Sequence, residues 1–198
     1  MLGVRPPQQE PADNFVYDPA NPVRTRGGGN CCDHDHLAPG IFDQRATENR
    51  NDVLVYSTEP LDADTEVTGP ISLELYISSS AVDTDFTGKL VDVYPDGFAR
   101  NIADGILRLR YRNSYEKAEP LIPGEVYKIK VDLWATANLF RRGHCIRLEI
   151  SSSNFPRYDR NLNTGEDLLT GTRVVKAHQT VYHESRYPSA LILPIVPR

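Results

Sequence analysis

Cysteine is scarce in this 198-residue chain: three occur, two of them adjacent at Cys31 and Cys32. Three cannot make a disulfide framework, and reduced thiols are expected. Basic runs are short. None exceeds the Arg141-Arg142 pair and the net charge is −5, so nothing offers an electrostatic footprint for nucleic acid or for an anionic membrane surface. Long apolar stretches are missing as well: the longest, Ala190 to Val196, is interrupted by Pro194 and falls far short of the roughly 20 residues of a membrane helix. The N-terminus lacks the charged-then-apolar layout of a secretory signal, and a soluble, cytoplasmic protein is expected.

Proline and glycine crowd the first 50 residues, with Pro6, Pro7, Pro11, Pro19, Pro22 and Pro39 around Gly27-Gly28-Gly29. Such punctuation breaks helix and strand periodicity alike, so residues 1–50 are read as an irregular arm and linker, and residues 1–14 are expected to be mobile or to borrow order from neighbouring molecules. Residues 51–198 read differently. Ile71, Leu73, Leu75 and Ile77 alternate with Ser72, Glu74, Tyr76 and Ser78, and Tyr127, Ile129, Val131 and Leu133 alternate with Lys128, Lys130 and Asp132, the period of half-buried strands. Leu107 to Arg112 and Ile146 to Ile150 repeat the pattern. Further strands are expected at Val53 to Ser57, Thr87 to Tyr94, Thr180 to His183 and Leu191 to Val196, with room for a helical turn at Thr136 to Phe140. Turn signals such as Asp96-Gly97, Pro123-Gly124 and Thr164-Gly165 separate them. Eight or so strands without sustained helical pattern imply an all-β, antiparallel jelly-roll β-sandwich of the galactose-binding-like kind, entered through the N-terminal arm.

The chemistry is thin. No serine sits in a Gly-x-Ser-x-Gly elbow, the strained strand-to-helix turn that presents an α/β-hydrolase nucleophile. Ser78-Ser79-Ser80 and Ser151-Ser152-Ser153 read as strand ends whose hydroxyls cap backbone groups. Gly27-Gly28-Gly29 lacks the Lys-Ser/Thr that completes a phosphate loop. Cys31-Cys32-Asp33-His34-Asp35-His36 is dense in metal-ligand types, yet sequence neighbours do not converge on one ion and no second pair stands at zinc spacing, so no metal and no cofactor is expected. His144, Cys145, His178 and His183 read as strand or edge residues, because nothing in the sequence positions a base beside a thiol. Asp83, Asp85 and Asp92 surround a strand start, where Asp-x-Asp commonly ties its own turn.

Several stretches resemble, in order, the C-terminal domain of the cocaine esterase and X-Pro dipeptidyl-peptidase family of serine hydrolases. They are Phe15 to Val23 followed by Gly27-Gly28; Asp43-Gln44-Arg45 with Asp52 to Tyr56; Val67 to Pro70; Asp83 to Thr87 with Lys89 to Gly97; Ser151 to Arg157; and Asn161 to Gly165. The likeness runs from about Phe15 to the C-terminus, and the acidic, His-rich Cys31 to His36 departs from it. It implies a non-catalytic jelly roll joined to an α/β-hydrolase domain that holds the Ser, Asp and His of the triad, so no catalytic residue is assigned here. The implied partners are that catalytic domain and a small ester or peptide substrate, with neither nucleic acid nor membrane and with homo-oligomerisation left open. A stand-alone carbohydrate-binding jelly roll is the alternative. Asp83, Asp85 and Phe86 are read as a border of the substrate pocket, with Phe86 on an acyl or leaving group and an aspartate paired to a substrate amine or an arginine across the interface. The competing reading turns Phe86 into the sandwich and leaves both aspartates tying the turn.

Overall fold

Strand periodicity becomes two facing antiparallel sheets in the computed structural model, which describes residues 1–31, 35–167 and 169–197. The strands are β1 (Asp13–Tyr17), β2 (Leu54–Ser57), β3 (Thr65–Ser79), β4 (Asp85–Val93), β5 (Ala99–Arg108), β6 (Tyr127–Phe140), β7 (Cys145–Ser151), β8 (Ala177–Tyr182) and β9 (Ala190–Ile192). One sheet runs β1-β8-β3-β6, with β9 also on β3; the other runs β2-β7-β4-β5. Chain order crosses repeatedly between the sheets, as a jelly roll requires.

The core lies where the inward faces meet. Ile71, Leu73, Leu75 and Ile77 of β3 and Ile129, Val131 and Leu133 of β6 are buried in it with Phe86 and Leu90 of β4. On the opposite face, Lys128 reaches Glu74 at 2.7 Å and adds little stability at such exposure. The β3–β6 register steps from Pro70/Ala135 to Ser72/Asp132, so β6 carries one extra residue. This bulge keeps Leu133 buried and turns Trp134, at φ +66°, outward to 72 % exposure. Gly105 on β5 faces the same point: a Cβ there would lie 1.9 Å from the Asp132 carbonyl oxygen, which fixes glycine at that position.

Three sequence expectations change. The segment Thr136 to Phe140 is the last part of β6, not a helical turn, because it pairs with Thr65–Gly69 and buries Phe140. The Leu107 strand lies further upstream and ends at Arg108; Leu109–Tyr111 form a 3-10 turn that buries Leu109 and carries Arg110 to Asp83. The first 50 residues, read as an irregular arm and linker, are not irregular throughout. They supply β1, paired with β8, and a short helix α1 (Arg45–Glu48). Even the first residues are held by this chain itself: Leu2 donates its N–H to Ser57 O, and Ser185 donates to Pro7 O. The reason lies on β4, which is buried along its whole length. Sheet one covers one face; residues among 23–31 and 35–53 cover the other, with Val23, Gln44 and Val53 buried.

Candidate functional site: a polar layer beneath the N-terminal segment

Asp85 and Phe86 open β4 and Asp83 stands just before it; all three are enclosed by the fold. Phe86 sits in the sandwich core, edge-on to Phe15 with ring centroids 6.1 Å apart. Asp83 accepts from the Arg110 backbone N–H and side-chain Nε at 3.0 and 2.8 Å. Asp85 accepts a forked pair from Arg108 at 3.0 and 2.9 Å. Asn161 Nδ2 bridges the two carboxylates at 2.7 and 2.8 Å. Burial pushes the Asp85 carboxyl up, and Arg108 opposes it. The cluster closes on the neighbouring loop: Arg108 donates to Asp159 O and Arg110 to Glu166 O. The arginine partners thus come from this chain, and Phe86 presents no surface to a ligand.

The outer face of β4 and its neighbours carries a second buried polar layer. Its residues alternate with core residues, so Thr87 and Lys89 point away from Phe86 and Leu90. Lys89 Nζ donates to Gln44 Oε1 at 2.7 Å and to Glu149 Oε2 at 3.1 Å. Gln44 Nε2 donates to the Arg26 and Phe42 carbonyls, which ties Arg26 and Phe42 to the sheet. Burial pushes the Glu149 carboxyl up to about 7; Lys89 lowers it, and the nearby Glu48 carboxylate raises it further. Glu48 is itself held by Arg147 Nη1 at 2.7 Å.

Beside this layer lies an open cavity of about 230 Å³. Its walls are the glycine hairpin Gly27–Gly29 with Gly40 and Ile41, β5 from Arg100 to Asp104, Thr136 and Asn154. The hairpin is held by reciprocal N–H to O bonds between Gly28 and Gly40, 2.7 and 2.9 Å. Asn101 fixes it to β5, donating to Gly40 O and accepting from Phe42 N–H. Gly28 has φ +97°, and a Cβ there would come to 3.2 Å from Arg157 Nη1, so the backbone approach needs glycine. Ile41 and Phe42 are exposed at the hairpin edge.

Other candidate groups are arranged structurally. His144 Nδ1 meets Asp92 Oδ1 at 2.8 Å, a buried pair, but among the described residues no hydroxyl or thiol bonds the other ring nitrogen. His183 sits between Asp13 and Glu10 at 3.1 and 3.3 Å, clasping the N-terminal segment to the sheet. Cys145 is a free thiol pushed up by burial. Cys31, in contrast, is in a disulfide: one bridge needs only two cysteines, although a framework needs more. The expectation of reduced thiols therefore fails at Cys31. Cys32, Asp33 and His34 lie outside the described residues. Among the described residues, no three His, Cys, Asp or Glu side chains are grouped to hold a metal ion, and no helix is long and apolar enough to cross a membrane.

Sequence reasoning missed the cavity because its walls come from positions 26 to 154. Gly27-Gly28-Gly29 was its one local signal. The pattern described as the X-Pro dipeptidyl-peptidase C-terminal non-catalytic domain matches residues 2–192. The chain is 46 % identical over 191 residues to the cocaine esterase of Rhodococcus sp. (strain MB1 Bresler), covering 96 % of this chain and 33 % of that protein. An aminopeptidase from the archaeon Thaumarchaeota superposes with TM-score 0.89 at 33 % identity, over 97 % of this chain and 34 % of its own. An α-amino acid ester hydrolase gives TM-score 0.88 at 31 % identity, over 97 % and 34 %. The chain thus spans about a third of the length of these relatives. It belongs to the X-Pro dipeptidyl-peptidase C-terminal non-catalytic domain family.

Proposed function

We propose that this domain serves a serine hydrolase of α/β-hydrolase type, acting on an ester or an X-Pro-like amide, by packing on its catalytic domain and forming one wall of its substrate pocket. The observation that carries the reading is the match along residues 2–192 to a non-catalytic C-terminal domain by a chain that spans a third of relatives named as an esterase, an ester hydrolase and an aminopeptidase. The nucleophile, base and acid then belong to the catalytic domain, and what this chain adds is shape.

The glycine hairpin is the part of the fold best suited to that wall. It is anchored by Gln44 and Asn101, yet leaves Ile41 and Phe42 exposed beside an open cavity; loops held on a rigid sheet are where such contacts concentrate. Asp83 and Asp85 border the pocket indirectly in this reading. By fixing Arg108 and Arg110 they hold the 159–166 loop, and Phe86 supports them from the core. The exposed Trp134 alone does not make the aromatic platform of a carbohydrate module. In the complete enzyme, Ile41→Ala is expected to shift preference among acyl groups several-fold with under about 1 kcal/mol lost in stability. Unchanged preference across a series of acyl esters, at both Ile41 and Phe42, would overturn the wall reading.

A further inference from the structure

Two buried carboxyl groups meet beneath α1. Gln44 caps the start of that helix and Glu48 ends it; a separation of four residues puts both on one side, and that side faces the outer surface of β4 and β7. Gln44 Oε1 accepts from Lys89 Nζ, and Glu48 Oε2 accepts from Arg147 Nη1, each at 2.7 Å. Glu149 stands opposite Lys89 on the neighbouring strand, and its Oε2 accepts from Lys89 at 3.1 Å. Each carboxylate thus spends one oxygen on a cation. The remaining oxygens, Glu48 Oε1 and Glu149 Oε1, are both buried without a hydrogen-bond partner, while the two carboxyl groups lie within hydrogen-bonding reach of each other.

A buried acceptor left unsatisfied is costly, and two ionised carboxylates in contact repel strongly. One hydrogen removes both penalties, because it makes one carboxyl a donor and leaves the other an acceptor. The void of about 10 Å³ that borders Glu149, Lys89 and Asn154 touches neither Glu48 nor Arg147; its room for a water lies away from the contact. The charges around the pair have partners of their own. Lys89 faces it from β4 and Arg147 from β7, where Arg147 Nε also donates to Ser57 of β2 at 2.7 Å. Asp104 of β5, beside Lys89, takes Arg157 and Asn154. In the covering segment Asp43 takes Arg45 and Asp52 takes Arg50. The Cys145 thiol, further along β7, is pushed up by burial.

We propose that Glu48 and Glu149 hold one proton between their Oε1 oxygens, and that this proton is a pH-sensitive latch fastening α1 to β7. Burial and the neighbouring Glu48 push the Glu149 carboxyl up to about 7. A carboxyl pKa raised on folding stabilises the closed arrangement most at low pH, and the benefit is lost as pH rises through about 7. When the proton leaves to solvent, two carboxylates are left in contact and α1 loosens. Gln44 ties the Arg26 and Phe42 carbonyls to the sheet, so the base of the glycine hairpin loosens with it. The latch rests on this chain's own geometry and not on the pocket-wall reading.

Carboxyl carbon NMR of the glutamates, followed through neutral pH, provides the test. The Glu48 and Glu149 signals are expected to move together in one step centred near 7, since both report the same proton. Amide exchange supplies the second readout. Thr47, Glu48 and Asn49 donate their N–H groups to the Gln44 and Arg45 carbonyls, and their exchange is expected to quicken by about ten-fold more between pH 6 and 8 than the intrinsic rate does, as one proton bound near 7 only in the closed form requires. Glu48→Gln supplies a permanent amide donor to Glu149. It is expected to lower the Glu149 step by about one pH unit or more and to cut the excess exchange to about two-fold. A step near 7 in Glu149 that leaves the Glu48 signal unmoved, exchange at Thr47 to Asn49 that keeps pace with the intrinsic rate, or an unmoved Glu149 step in a folded Glu48→Gln protein would each overturn the proposal, and the first two need no variant.

Discussion

Glu149 makes the stability of this domain depend on pH in an unusual direction. Its carboxyl titrates at about 7 instead of the ordinary 4.5, chiefly because it is buried, with the Glu48 carboxylate adding to the rise. A carboxyl whose pKa is raised on folding binds its proton more tightly in the folded state. The folded state is therefore favoured most below about pH 4.5, and that advantage is lost as pH rises to about 7. A rise from 4.5 to about 7 corresponds to about 3 kcal/mol at the upper end. Glu149→Gln keeps the shape, keeps an acceptor for Lys89 Nζ and removes the ionisation. Urea unfolding of both proteins between pH 4.5 and 8 reads the effect: the stability of the variant relative to the natural chain should climb by 2 to about 3 kcal/mol across that range. Parallel curves would refute the reasoning. So would a natural chain whose relative stability rises from pH 5 to 7.

Further outcomes follow from the packing. Phe86→Ala should lower stability by about 3 to 5 kcal/mol in denaturant unfolding, since its ring is wholly enclosed against Phe15. Asp85→Asn should cost about 3 kcal/mol by leaving Arg108 without its buried counter-charge, and proteolysis within 159–166 should quicken because Arg108 also holds Asp159 O. Gly105→Ala should fail to give a cooperative unfolding transition, as its Cβ would collide with the Asp132 carbonyl.

Where burial followed a simple period, the sequence was readable. Ile71 to Ile77 and Ile129 to Leu133 alternate because sheet one faces water on its other side, and both strands stand where the pattern places them. β4 was harder: Asp85, Thr87 and Lys89 look like a solvated face, but residues among 23–31 and 35–53 cover them. The same covering explains the misjudged N-terminal segment. Its prolines forbid a core of its own; they do not prevent it from closing over another strand's polar side chains. At Trp134 the bulge breaks the alternation that identified β6, which made Thr136 to Phe140 look like a turn. The motifs quoted from 83–87 and 161–165 meet in space through Asn161, whose amide joins two carboxylates 76 and 78 residues away. No local pattern reports such a meeting, and the cavity at Arg100 is assembled in the same non-local way.

The most direct test of the central claim is turnover of a chromogenic short-chain ester by this chain alone and by the complete enzyme under identical conditions. The account predicts no turnover above buffer for the chain, with full activity in the enzyme that also carries the catalytic domain. Turnover by the purified chain that disappears on substitution of one of its own serines, histidines or Cys145 would contradict it.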